Sequence, residues 1–193
     1  MVVEQEADSV DPRVQRTRRD VVDAATALFL EQGWAAVTHA EVAHRAGYSK
    51  ATLYAHWPTR LDLVRASVDQ MCAAVGHPQL TGDLRHDLIA GLLDFGQDLA
   101  DGHLVRVFGG LLERAGSDPI VDELRERLYA AGTRSLDSAL RSHLRAEDVE
   151  PSLALLVGGV LVRAGFQAQP ADRPFVEDLV DRVLAAARRD GAR

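Results

Sequence analysis

Between Thr38 and Trp57 the sequence THAEVAHRAGYSKATLYAHW collects polar and aromatic side chains at spacings suited to reading a nucleic acid. Thr38 followed by Glu41 forms a capping box, so a short helix is expected from about Thr38 to Arg45, stopping at Gly47. Ser49 caps a second helix, which ends near Trp57 because Pro58 disfavours α geometry in the residue before it. Two short helices joined by a tight glycine-containing turn make a helix-turn-helix, whose second helix lies in the major groove while the first braces it against the backbone. Val42, Ala43 and Ala46 face inward, Leu53 and Trp57 belong to the core, and Lys50, Thr52, Tyr54 and His56 crowd one small surface. Bond-making chemistry has no comparable signal. There is no nucleophile–base pair and no Gly-rich phosphate loop, and the 7 His and single Cys72 offer no CxxC or HExxH spacing. No enzyme, metal site or cofactor is expected.

These residues need elements to hold them, and almost every segment reads as helix, because apolar residues recur at spacings of three and four. The fold class is all-α. Val21, Ala25, Leu28 and Phe29 form the stripe of a first helix that Gly33 ends. Thr59, with Asp62 in the N3 position, caps a fourth helix whose apolar register runs Leu61, Val64, Val68, Met71, Val75. Beyond the breakers Gly76, Pro78 and Gly82, longer helices are expected at about 83–100, 103–115, 119–144, 151–167 and 174–189. The domain division that follows is a tail over 1–12, a three-helix head over 13–58 and a helical body over 59–193, with 59–76 as connector.

The net charge of -7 argues against nucleic acid only until it is divided along the chain. Residues 12–60 carry seven Lys or Arg against four Asp or Glu, with His39, His44 and His56 besides, while the body and the first eleven residues are acidic. A basic head on an acidic body keeps DNA at one end. His39 and His44 are five apart, off one helical face, and so make no metal pair. The N-terminus has four acidic residues and no apolar core of a signal, no apolar run approaches the ~20 residues of a membrane helix, and one Cys fits a reducing compartment, so a soluble cytoplasmic protein is expected.

The run AHRAGYSKATLYAHWPTRLDLV closely resembles the TetR repressor family, over about Arg13 to Val68, with its Ser-x-x-Thr-Leu-Tyr core at Ser49, Thr52, Leu53 and Tyr54. The resemblance implies that Thr38 bonds a phosphate at a helix start, where free N–H groups favour an anion. It implies groove contacts from Lys50, Thr52 and Tyr54, and backbone contacts from His56 and Arg60. Arg60 sits in a first helical turn, unfavourable by the dipole, which a phosphate partner would explain. Thr38 and Ser49 are caps in any case, phosphate contact being an added role. The chain departs from the family pattern at His39, Ala40, Tyr48 and Ala51. Ala51 adds a methyl at the closest approach to the base edges, and Tyr48 either meets a phosphate or covers the core. The arginines from Arg13 to Arg19 are either a solvated helix face or a brush against the DNA backbone.

For the body, the resemblance implies ligand binding and dimerisation. Helices 151–167, with Gly158 and Gly159, and 174–189, with Phe175, Leu179, Val183 and Leu184, look like half of an isologous four-helix interface, the alternative being an intramolecular core. Two-fold symmetry also suits a palindromic double-stranded operator with half-sites ~34–36 Å apart or more. An apolar effector pocket is expected among the central helices, with Gln97, His103, Arg106 and Arg163 as its polar candidates unless surface ion pairs claim them. The implied function is a repressor released from DNA by a small apolar molecule. The rivals are an activator or ligand-independent regulator with the same head, and a helical module that binds no DNA.

Overall fold

The computed structural model describes residues 11–190, which contain helices and turns but no strand. The tail expected over 1–12 lies outside the described residues up to position 10. Its last two residues are ordered, since Asp11 caps the first helix by accepting from Arg13 N–H at 2.8 Å and Pro12 occupies the first helical position. The chain divides into two compact units, Met1–Gln70 and Met71–Arg193.

The first unit holds α1 (Pro12–Gln32), a 3₁₀ turn (Trp34–Ala36), α2 (His39–Ala46), α3 (Lys50–His56) and the start of α4 (Arg60–Ala74). Val21, Ala25, Leu28 and Phe29 are buried on one stripe of α1, with Val37, Val42, Leu53, Leu63 and Val64 also enclosed. The division falls inside α4, past the boundary expected at 58. The reason is visible in its partners: Gln70 accepts from the Thr26 hydroxyl at 2.6 Å and donates to Asp23, which ties α4 to α1 as far along as Gln70. Thr59 and Asp62 cap α4 reciprocally, Asp62 Oδ2 accepting from the Thr59 N–H at 2.8 Å and hydroxyl at 2.7 Å. The hydroxyl bond first, then the N–H, holds the Asp62 carboxyl below its ordinary range.

The second unit comprises α5 (Leu84–Ala100), α6 (His103–Leu112), α7 (Pro119–Arg141), α8 (Ala146–Leu161), a π-helical extension (Val162–Phe166) and α9 (Arg173–Asp190). Its core is aliphatic: Leu88, Leu92, Leu140, Leu156, Val160, Val176 and Val180 are closed from solvent. Two expectations need correction. The eighth helix does not start at Pro151 but at Ala146, with Pro151 inside it, five residues on; Glu147 and Asp148 in its first turn suit the positive end of the dipole. In consequence α8 and its extension form a 21-residue stretch, Ala146–Phe166, long and apolar enough by composition to cross a membrane, contrary to the expectation that no run approaches that length. Its acidic residues, Glu147, Asp148 and Glu150, cluster at its start with Arg163 near its other end, and Val149, Leu153, Leu156 and Val160 are packed into the core of the unit.

The turn before α5 is built on Asp87, whose carboxylate accepts from Thr81 N–H at 2.9 Å, Thr81 hydroxyl at 2.7 Å and Gly82 N–H at 3.0 Å. Burial opposes the charge, but these three donors outweigh it and hold the carboxyl below its ordinary range. A carboxyl lowered in the folded state stabilises the fold above the unfolded value of ~3.9 and stops doing so as pH falls through the folded value. Asp87→Asn should therefore melt below wild type at neutral pH, and the gap should narrow as the pH is lowered past ~4. Thermal melts across pH 3–7 check this, and a gap independent of pH would contradict it.

Candidate nucleic-acid interface

The turn between α2 and α3 depends on Gly47, which adopts φ 76°, ψ 27° and closes α2 by donating its N–H to the Ala43 carbonyl at 3.0 Å. A side chain at that left-handed position would strain the turn. Thr38 Oγ1 accepts from Glu41 N–H at 3.2 Å and Ser49 Oγ from Thr52 N–H at 3.1 Å, so both act as the caps their spacing suggested. Leu53 and Trp57 are buried against the rest of the head. With those two residues inward, Lys50, Ala51, Tyr54 and Ala55 are the exposed positions of α3 and share a face by their spacing. Thr52 and His56 flank it half-buried, the His56 ring lying edge-on to Trp57 at 5.7 Å.

Three residues of the head do something their position in the sequence did not announce. His39 is buried at the start of α2, where its Nε2–H donates to the Trp57 carbonyl at 2.7 Å. The same ring stacks on Tyr54 at 4.0 Å and 16°. It thereby joins α2 to the end of α3 and fixes the plane of Tyr54, which remains 50 % exposed. The only hint in the sequence was a ring with a polar edge where an apolar residue is usual. Tyr48, left between a phosphate contact and a core cover, donates its hydroxyl to Asp20 Oδ2 of α1 at 2.8 Å. Arg60, expected at a DNA phosphate, has partners inside the head. Its Nε–H donates to the Val37 carbonyl at 2.8 Å, an Nη–H donates to the Trp34 carbonyl, and the guanidinium lies 5.7 Å from the Trp34 ring centroid. Carbonyls of the 3₁₀ turn thus supply the electron-rich partner that the helix start denies it.

Along α1, Arg13, Arg16, Arg18 and Arg19 are exposed, Arg16 lying 3.8 Å from Asp20. Arg45 is bidentate to Glu31 of α1 at 2.6–2.7 Å, and that hydrogen-bonded pair raises its already high pKa.

In the second unit a cavity of about 210 Å³ opens between α5, α6, α7 and α8, with walls that include Phe95, Phe108, Leu128, Leu136, Val157 and Leu161. None of the four polar candidates lines it. Gln97 is exposed on α5. His103 pairs with Asp101 at 2.9 Å, and Arg163 donates to the Pro170 carbonyl at 3.3 Å with its guanidinium 5.0 Å from the Phe175 ring centroid. Arg106 borders a separate, more polar hollow beside the π-helical extension. The polar residues on the apolar cavity are Arg125, Tyr129 and Thr133, all from α7. Their spacing of four reads in a sequence as an ordinary solvated stripe.

Comparison with known proteins agrees with this geometry. The family model for bacterial regulatory proteins of the tetR family matches residues 21–67, which span α2 and α3. The chain is 30 % identical over 178 residues to the DNA-binding transcriptional repressor TetR of Mycobacteroides abscessus, covering 88 % of this chain and 92 % of that one. It is 25 % identical over 191 residues to the HTH-type transcriptional regulator YdeS of Bacillus subtilis, covering 94 % of each. Among solved structures, a TetR family transcription regulator superposes with TM-score 0.63 at 30 % identity, covering 88 % of this chain and 97 % of its own. The flavonoid-responsive regulator FrrA superposes with TM-score 0.69 at 23 % identity, covering 91 % and 97 %. A helix-turn-helix capped at Thr38 and Ser49, an all-helical body and a relative matched over nearly its full length lead to one conclusion: the chain belongs to the TetR family and is a DNA-binding transcriptional regulator, not an enzyme.

Proposed function

We propose that this regulator is a cytoplasmic repressor that holds a palindromic operator as a two-fold dimer and lets go when a small apolar molecule enters the cavity of its second unit. The observation that carries the reading is the presence, in one chain, of an exposed Lys50–Tyr54 face on a rigidly held α3 and an apolar cavity among α5–α8. On this reading Lys50, Thr52 and Tyr54 meet the major groove and Ala51 marks the closest approach to the bases. Thr38, Ser49 and His56 meet phosphates, where helix-start N–H groups assist them. Tyr48 and Arg60 hold the head together and stay off the DNA. The head is assigned to residues 13–58 and the ligand-binding and dimerisation body to 59–193.

Dimerisation through α8 and α9 is supported on the α8 side, at α8 and its π-helical extension, by apolar side chains that the chain itself leaves uncovered: Leu155 is 59 %, Val162 46 % and Phe166 83 % exposed. Not all of the small residues on α8 serve a partner, since a Cβ at Gly159 would meet Leu179 of α9 at 2.7 Å, so that glycine serves packing within the chain. Gly158 has no such neighbour. The link from cavity to DNA is α4, unbroken from Arg60 to Ala74, whose tilt would change the spacing of paired heads and so favour one of two states. The similar proteins described as a repressor and as flavonoid-responsive fit this two-state reading.

A reporter driven by a promoter carrying a bound site tests it. Expression should fall when the wild-type protein is present and recover when an effector is added. Expression that rises with the protein would make it an activator, and repression unmoved by any compound that binds the cavity would remove ligand release from the account.

A further inference from the structure

We infer that the effector of this cavity is a one-ring or similarly small apolar molecule whose polar end is an uncharged acceptor oxygen, a carbonyl held by Arg125 and Tyr129. This rests on the proposed effector role of the cavity and specifies the chemistry that would fill it.

Size comes first. An engineered apolar cavity of ~150 Å³ takes a benzene, so about 210 Å³ admits one ring with a short substituent. Gly132 leaves that room: it lies on the cavity wall, and a Cβ built on it meets nothing within 4 Å.

The polar groups come second. Arg125, Tyr129 and Thr133 follow one another at intervals of four on α7 and so lie on the same side of the helix. Thr133 Oγ1 donates to the Tyr129 carbonyl at 2.8 Å, so its proton is already used. Arg125 Nε is buried and makes no hydrogen bond. Its nearest carboxylate oxygen, Asp122 Oδ1, is 3.8 Å away and accepts instead from Gly116 N–H at 2.9 Å. A buried donor left unmade is costly, more so on a charged group, and an acceptor brought by a ligand removes that cost. Burial, with Glu150 and Asp137 adding to it, pushes the Tyr129 phenol up, so it stays a donor at neutral pH. The cavity wall therefore carries its donors along one side of α7 and hydrocarbon elsewhere.

Charge decides between acceptors. Asp122 and Glu126, the latter 3.6 Å from Arg125 Nη2, already balance the guanidinium. A carboxylate would meet two like charges and give up its own hydration, whereas a carbonyl gains the hydrogen bond without either penalty.

The test uses four probes of matched shape with the full-length protein: butyrophenone, butylbenzene, 4-phenylbutanoate and 4-phenylbutylamine, titrated by NMR. Butyrophenone should bind about tenfold tighter than butylbenzene, the size of one hydrogen bond to a charged donor, and tighter than either charged probe. Arg125→Met should erase that preference while butylbenzene still binds, and Gly132→Leu should abolish binding of the whole set. Equal binding of ketone and hydrocarbon in wild type, or a preference for the acid or the amine, overturns the assigned chemistry and leaves the cavity reading in place. Absence of binding by all four, or binding that survives Gly132→Leu, overturns the cavity reading itself and this inference with it.

Discussion

Replacing Lys50 and Tyr54 together by alanine is expected to weaken operator binding by about a thousandfold. A well-placed base or phosphate contact contributes ~1–3 kcal/mol, and in a two-fold dimer each substitution is felt at both half-sites, so even the low end of that range gives ~4 kcal/mol. The fold should survive, because both side chains are on the exposed face of α3 and exposed substitutions usually change stability by ~0.5 kcal/mol or less. Tyr54 also stacks on His39, and an aromatic pair of this kind contributes ~0.5–1.5 kcal/mol, so a small fall in melting temperature should accompany the Tyr54 change and not the Lys50 change. The salt dependence separates the two contacts: losing a phosphate contact at each half-site should flatten the slope of log affinity against log salt by ~2, whereas losing a base contact should leave the slope and reduce sequence discrimination. Binding assays at several salt concentrations read both quantities. Wild-type affinity in the double variant would remove α3 from the interface.

The second large effect concerns Arg60, where stability should change rather than DNA contact. Arg60→Ala is expected to cost about 2–3 kcal/mol, because two carbonyls of the 3₁₀ turn lose charge-assisted donors and the Trp34 ring loses its cation. Arg60→Lys should recover little, since an ammonium cannot span the Val37 and Trp34 carbonyls with the planar fork that now does so. Urea melts of the three proteins measure this directly. If Arg60 instead served a phosphate, both variants would keep the wild-type melt and lose only operator affinity. The two roles therefore predict opposite patterns, and one pair of measurements decides between them.

The contrast between these residues shows which parts of the molecule were legible in the chain. Caps and breakers act within three or four residues, so Thr38 with Glu41, Ser49 with Thr52, and Gly47 announced the helix-turn-helix before any contact was known. The apolar stripe of α1 was equally plain, since helical period alone selects Val21, Ala25, Leu28 and Phe29. Features set by distant partners were hidden. Arg60 finds carbonyls more than twenty positions away, Tyr48 finds Asp20, and His39 reaches the end of the next helix. Arg125, Tyr129 and Thr133 were hidden for the same reason: only the packing of α5, α6 and α8 against α7 turns a polar stripe into part of a cavity wall. Pro151 misled because proline usually opens a helix, whereas here the acidic first turn begins five residues earlier.

The central claim is that paired α3 helices read DNA, and selection of bound sequences from a random duplex library by the full-length protein, followed by titration of the winning site at two salt concentrations, tests it most directly. The account predicts enrichment of an inverted repeat with half-sites about one helical turn apart or somewhat more, bound tightly at low salt and far less so at high salt. Enrichment of no sequence, or of a single unpaired half-site bound without regard to salt, would contradict it.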